Sequence, residues 1–236
     1  MSEEITKTPM AKLLEKFMQK VVVVEDRPEH DVEQEKQEKQ EKQDRLRKKL
    51  EARGVPSRAA DLISSGKMLE NPTIERVRRF MASQPGTLVL SGSKGTGKTV
   101  AAAWAMQCNV EDDPAAKKKY ERWPTELGPK FMDVARFARA PRWNDPMVMQ
   151  CIEDCWVLVI DDVGLEYLDG KGIFLSLFDE ILVHRHDNNL RTILTTNIPP
   201  DTFFERYGER VKDRLCEEGS AFFVIHSESM RGKIAP

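Results

Sequence analysis

The sequence has no run of about 18 apolar residues, so it offers no candidate for a membrane-spanning helix. Its start, MSEEITKTPM, carries two glutamates where a secretory leader would be basic and then apolar, which points to a cytoplasmic protein. Cysteine is scarce. Cys108, Cys151, Cys155 and Cys216 form no CxxC pair, and although Cys151 and Cys155 fall one turn apart on an expected helix, no nearby residues complete a metal clip; they read as ordinary thiols. An excess of charge of either sign is missing as well. The 37 basic and 39 acidic residues nearly cancel, so any nucleic-acid or acidic partner must meet a local patch rather than a global field.

What is present is enough for one sizeable core with a polar appendage: 236 residues, 40% hydrophobic and 32% charged. Composition changes near residue 53. Residues 25–53 are almost wholly charged or Gln, and QEKQEKQEK (34–42) repeats with period three. Glu35 with Lys39 and Glu38 with Lys42 stand in the favourable order for a helix, while no apolar stripe asks to be buried, so a solvated helix or linker is expected. Ahead of it, residues 1–24 place Leu13, Leu14, Phe17 and Met18 at helical spacing. That apolar face either folds back on the main domain or docks into a partner.

Residues 54–236 alternate short apolar runs with longer amphipathic ones. Strands are expected at 87–90, 130–133, 156–160, 192–196 and 221–225, with helices at about 99–109, 145–154, 172–187 and 202–216. Strands that are apolar throughout and separated by helices argue a parallel sheet covered on both faces: an α/β, three-layer fold.

Between the first strand and the first of those helices lies Gly92-Ser93-Lys94-Gly95-Thr96-Gly97-Lys98-Thr99, a match to GxxxxGK[ST] in the strand-to-helix context the motif requires. Its glycines let backbone N–H groups turn inward around a phosphate chain. Lys98 would reach the β- and γ-phosphates of ATP, and the Thr99 hydroxyl would reach Mg²⁺. Such a loop calls for a carboxylate at the end of a buried strand. CWVLVIDDVG supplies Asp161 for the metal shell and Asp162 to polarise the attacking water. TILTTN then ends a further strand in Asn197, which could sense the γ-phosphate or orient the water.

In these motifs the chain resembles AAA+ ATPases of the DnaC/IstB type, bacterial or phage helicase loaders and transposition helpers. LSGSKGTGKT, VLVIDDVG, ILTTN and FFERYGERVKDRL stand in that group's order, over about residues 54–233. The resemblance implies a P-loop (AAA+) ATPase domain. It also implies that Arg210 is an arginine finger completing the ATP site of a neighbouring subunit, so that self-association builds composite sites. Arg214, one turn later, either assists the finger or pairs with an acidic residue such as Glu217 or Glu218. Arg231 resembles a C-terminal arginine of the group.

Three departures stand out. Asp162 replaces the Glu that many AAA+ proteins use, which suits slow hydrolysis. Residues 111–129, with Lys117, Lys118 and Lys119, exceed the usual connection, and no clear lid domain follows AFFVI. Arg136, Arg139 and Arg142 stand three apart, a basic stripe on a helix, in a region that in the resembling loaders lines a pore for single-stranded DNA. Phe137 and Trp143 nearby would add stacking, whereas an arginine-rich face can equally be solvated. The expectation is a loader that binds a replicative hexameric helicase through its N-terminus and places it on single-stranded DNA. The alternative is an IstB-like helper acting on duplex DNA with a transposase.

Overall fold

The computed structural model describes residues 29–68, 71–108, 128–140, 146–166 and 172–226. Leu13, Leu14, Phe17, Met18, Lys117, Lys118, Lys119, Arg142, Trp143 and Arg231 lie outside the described residues. By internal contacts the chain divides into residues 1–41 and residues 42–236.

The described part of the first unit is the start of helix α1 (Glu29–Ala52), whose residues 33–41 are all exposed, as a surface of Glu, Lys and Gln requires. The end of the same helix behaves differently. Leu50 is fully buried and Leu46 packs beside it, so the stretch read as solvated throughout sends its last two turns into the core. Two leucines four apart make a narrow stripe that the surrounding charge masks in the sequence. Lys49 and Arg53 then donate to the backbone carbonyls of Gln107, Met106 and Cys108, capping the orphan carbonyls of the turn there.

The second unit is built on five parallel strands: β1 (Thr87–Gly92), β2 (Lys130–Asp133), β3 (Val157–Val163), β4 (Arg191–Thr196) and β5 (Ala221–Ile225), in the order β2-β3-β4-β1-β5. Because successive side chains point to opposite faces, each strand feeds two cores. Leu88, Leu90, Val157, Val159 and Ile193 face α2 (Ser57–Ser64), α3 (Pro72–Ala82) and α4 (Lys98–Trp104). Val89, Leu158, Ile160 and Leu194 face α5 (Val134–Arg139), α6 (Pro146–Asp154), α7 (Ile173–Asp187), α8 (Pro200–Tyr207) and α9 (Glu209–Cys216). The three-layer α/β architecture is therefore the one the apolar runs imply.

Several local expectations change. The single helix expected at 202–216 is two, because Gly208 adopts φ 88°, ψ 171° and separates α8 from α9. The third strand continues past residue 160 to Val163, with a bulge between Ile160 and Val163. Cys155 falls just after α6 rather than on it; it is buried, while Cys151 is half-buried. Arg185 on α7 is also completely buried. Its guanidinium donates to the carbonyls of Ile152 and Glu153, to Thr192 Oγ1 and to the carbonyl of Arg191, and so ties the end of α6 to the start of β4.

Candidate functional site

In a parallel sheet all strand ends of one kind lie along one edge, and here that edge collects the motifs. The loop Gly92–Gly97 leaves β1 and enters α4, whose first residues are Lys98 and Thr99. Gly95 and Gly97 have φ of 88° and 83°, a region that side chains resist, and a Cβ on Gly92 would meet Ile225 at 3.0 Å. Thr96 is buried and closes the loop by donating to the carbonyl of Ser93 at 3.0 Å, whereas Ser93 and Lys94 are exposed.

Lys98 is buried at 6% exposure, with its ammonium at 2.8 Å from the carbonyls of Gly92 and Ser93 and at 3.0 Å from Asn197 Oδ1. The amide thus reaches the loop's cation because β4, which carries it, lies between β1 and β3. Thr99 donates to Asp161 Oδ1 at 3.1 Å, and Thr195 donates to the same oxygen at 2.5 Å. Burial pushes the Asp161 carboxyl up to about 6; the adjoining Asp162 charge adds to the rise, against the hydrogen bonds from Thr195 and Thr99 and the charge of Lys98. Asp162 sits in the bulge with φ 59°, left-handed backbone that Asp tolerates better than most residues, and its N–H is held by Thr195 Oγ1 at 2.9 Å.

This donor set suits a magnesium nucleotide. One hydroxyl and one carboxylate are adjacent hard oxygen ligands, and a Mg²⁺ ion ordinarily takes only one or two from protein, leaving the rest to phosphate and water. Among the described residues no three His, Cys, Asp or Glu side chains are grouped to form an all-protein metal site.

A cavity of about 540 Å³ runs from this loop to α2 and α3. At one end stand Lys94, Gly95, Gly97, Lys98, Thr99, Asp162 and Asn197; at the other Pro56, Ala59, Leu62, Met68 and Ile74 make a largely apolar wall. A flat heterocycle linked to a phosphate chain fits that division. These wall residues are ones sequence reasoning missed. Ala59 and Leu62 lie on α2 and Ile74 on α3, two helices not anticipated from the sequence, and an apolar side chain there does not by itself distinguish a ligand wall from core.

Glu166 and Arg206 were also missed, though Glu166 lies two residues past VLVIDDVG and Arg206 lies inside FFERYGERVKDRL. The Glu166 carboxylate is fully buried and accepts from Arg206 Nε and Nη2, Tyr207 Oη and the N–H of Gly164.

Arg210 and Arg214 both lie on α9. Arg210 is 75% exposed and forms a 2.9 Å ion pair with Asp179 on α7, away from the cavity lining. Arg214 pairs with Glu217. Arg136 and Arg139 project from the six-residue helix α5 and are exposed, but Phe137 between them is completely buried, edge-on to Phe174 and Phe178. The expected stacking role of Phe137 is therefore corrected, because its ring fills the core behind the stripe. No helix of the described residues is long and apolar enough to cross a membrane.

No protein-family model and no curated protein matches the chain. Among solved structures, similar ones include the DnaC helicase loader (23% identity, TM-score 0.48, 67% of this chain and 93% of that one) and DnaI (22%, 0.41, 67% and 86%). A DNA replication initiation factor is similar as well (19%, TM-score 0.48), with 68% of this chain matching 47% of that one, about half its length.

Proposed function

We propose that this chain is an AAA+ ATPase that loads a replicative hexameric helicase onto single-stranded DNA, with ATP-linked self-association as the driving step. The observation that supports the ATPase reading best is the convergence of Lys98, Thr99 and Asn197, with Asp161 bonded behind Thr99, at one end of a cavity whose other end is largely apolar. Bound at Thr99 and Asp161, Mg²⁺ would supply charge neutralisation to the β- and γ-phosphates. Lys98 holds the γ-phosphate by exchanging its carbonyl contacts for phosphate oxygens. Asn197, released from the ammonium, orients the attacking water, and Asp162 accepts a hydrogen bond from it. Arg210 leaves Asp179 and reaches the ATP of a neighbouring copy, where the transition-state charge is otherwise under-neutralised.

The loading role is supported by the appendage, an apolar face over residues 1–24 on a polar tether, which suits a protein partner. Arg136, Arg139 and Arg142 supply the contact to the single-stranded backbone through charge, with Trp143 as the stacking candidate once Phe137 is in the core.

Two measurements test this. Isothermal titration should show that Lys98→Ala loses ATP affinity by about two orders of magnitude or more, since the site loses its buried side-chain cation; unchanged affinity in a folded variant would defeat the nucleotide site. Capture of host proteins by the tagged full-length chain should recover a replicative helicase, and deletion of residues 1–24 should abolish that capture without lowering ATP affinity. Recovery of a transposase instead would favour the helper reading.

A further inference from the structure

Glu166 follows Asp162 by four residues, and Arg206 precedes Arg210 by four. Neither lines the cavity, yet Arg206 is bonded to Glu166 at both its carboxylate and its backbone carbonyl. Glu166 Oε1 accepts from Arg206 Nε at 3.0 Å, Arg206 Nη2 at 2.8 Å and Tyr207 Oη at 2.6 Å. Its Oε2 accepts the Gly164 N–H at 2.7 Å, and its backbone carbonyl takes a further bond from Arg206 Nη2 at 3.1 Å. The Arg206 guanidinium also lies 5.8 Å from the centre of the Tyr207 ring, which is itself packed on Phe178 and Phe203.

Among the described residues, Arg206, Tyr207 and the Gly164 N–H all donate to this carboxylate. A purely structural contact of the same size could be made by an amide or by apolar atoms, and an isolated buried ion pair is often no better than its hydrophobic replacement. Here the ion pair spans two segments with different tasks. On one side is the turn that leaves β3, already bent by the bulge and by the left-handed Asp162. On the other is the last turn of α8, followed at once by Gly208 and by α9 with Arg210. Gly208 is the one-residue joint between α8 and α9, which itself packs through Val211 and Leu215, so what anchors residues 206 and 207 bears on where α9 begins.

We propose that Glu166, through Arg206 and Tyr207, is a positioning residue that ties the Asp161–Asp162 turn to the helix carrying Arg210, so that a subunit's own nucleotide site sets the stance of the arginine it lends to the next. The inference rests on the ATPase reading above and deepens it by joining consecutive sites. A shift of the Asp162 turn on nucleotide binding or hydrolysis moves Glu166, and the Arg206 guanidinium, whose Nε and Nη2 both donate to Oε1, carries that movement to α9.

Glu166→Gln is the test, made in the full-length chain. The amide must turn an N–H toward at least one donor, so the strut loosens while its volume is kept. Binding of a fluorescent ATP analogue should stay within about twofold, while kcat falls about tenfold or more, and the loss should vanish when Arg210 is already Ala, because the two act as one unit. Backbone hydrogen exchange should rise in residues 161–166 and in residues 206–216 together. Should Glu166→Gln fail to fold, Tyr207→Phe removes one donor only and should produce the same pattern at smaller amplitude. Wild-type exchange across α9, a wild-type kcat, or an equal kcat loss with and without Arg210 would each overturn the coupling. If exchange rises in both segments but the unmutated protein neither binds nor hydrolyses ATP, the strut stands and the ATPase reading falls.

Discussion

Asp161 is the residue whose chemistry and stability are in conflict. Its carboxyl is buried at 6% exposure beside Asp162, and its pKa is raised to about 6 by that burial. The native state therefore holds the proton to higher pH than the unfolded chain does. The stability contributed by this one carboxyl is fully present below about pH 4 and is lost as the pH rises through 6, by up to about 3 kcal/mol for a shift of this size. Asp161→Asn keeps an oxygen to accept from Thr99 and Thr195 and removes the charge. Urea denaturation without nucleotide should find this variant about 1–3 kcal/mol more stable than the parent at pH 7.5 and equal to it at pH 4, while Mg²⁺-dependent hydrolysis is lost. A variant less stable at pH 7.5 would mean that the buried charge is compensated in the resting protein. Lys98 illustrates the complementary case: its buried ammonium is compensated by two loop carbonyls and by Asn197.

At the scale of elements, the joint between α8 and α9 carries the sharpest prediction. Gly208 occupies φ 88°, ψ 171°, a region essentially closed to residues with a Cβ, although a Cβ there would meet nothing within 4 Å. The cost of Gly208→Ala is thus backbone strain alone, about 1–3 kcal/mol, and relief of that strain redirects α9. Expected is a kcat reduced severalfold or more with little change in ATP affinity, since none of the cavity walls belongs to α8 or α9. A large loss of affinity with kcat intact would show that the joint serves the cavity instead. The end of α1 is an element of another kind, because it is charged in sequence yet anchored by Leu50 and by the bonds of Lys49 and Arg53 to the carbonyls that follow α4. The helix that opens with Lys98 and Thr99 is thereby fixed at both of its ends.

For the whole molecule, the consequential arrangement is that the cavity and Arg210 do not meet within one copy. Arg210 is exposed and held by Asp179, and the cavity is lined without it. Hydrolysis by a composite site then has an arithmetic signature. Lys98→Ala and Arg210→Ala are each expected to be nearly inactive alone, whereas an equal mixture builds about a quarter of its sites from one good loop and one good arginine and regains turnover in proportion. Steady-state phosphate release measures it, with concentration dependence as the control for association. A mixture no more active than its components would mean that Arg210 does not act in trans.

Much of this was legible in the chain because short-range chemistry announces itself. The glycine-rich loop between an apolar run and an alanine-rich run, the acid pair that ends VLVI, and the Asn that ends ILTT each owe their identity to a local need: backbone that turns inward, a carboxylate at a strand end, an amide beside it. Apolar runs separated by amphipathic ones likewise implied a parallel sheet with two covered faces. What only tertiary structure decided is whatever depends on who stands opposite. The strand order puts β4 between β1 and β3 and so sets Asn197 against Lys98. Burial of Phe137 removes it from any surface, and burial of Leu50 draws a charged helix into the core. Glu166 and Arg206, forty residues apart, looked like two ordinary charges of a polar chain; a carboxylate's partners are chosen by packing in three dimensions, and no periodicity or spacing along the sequence encodes that choice.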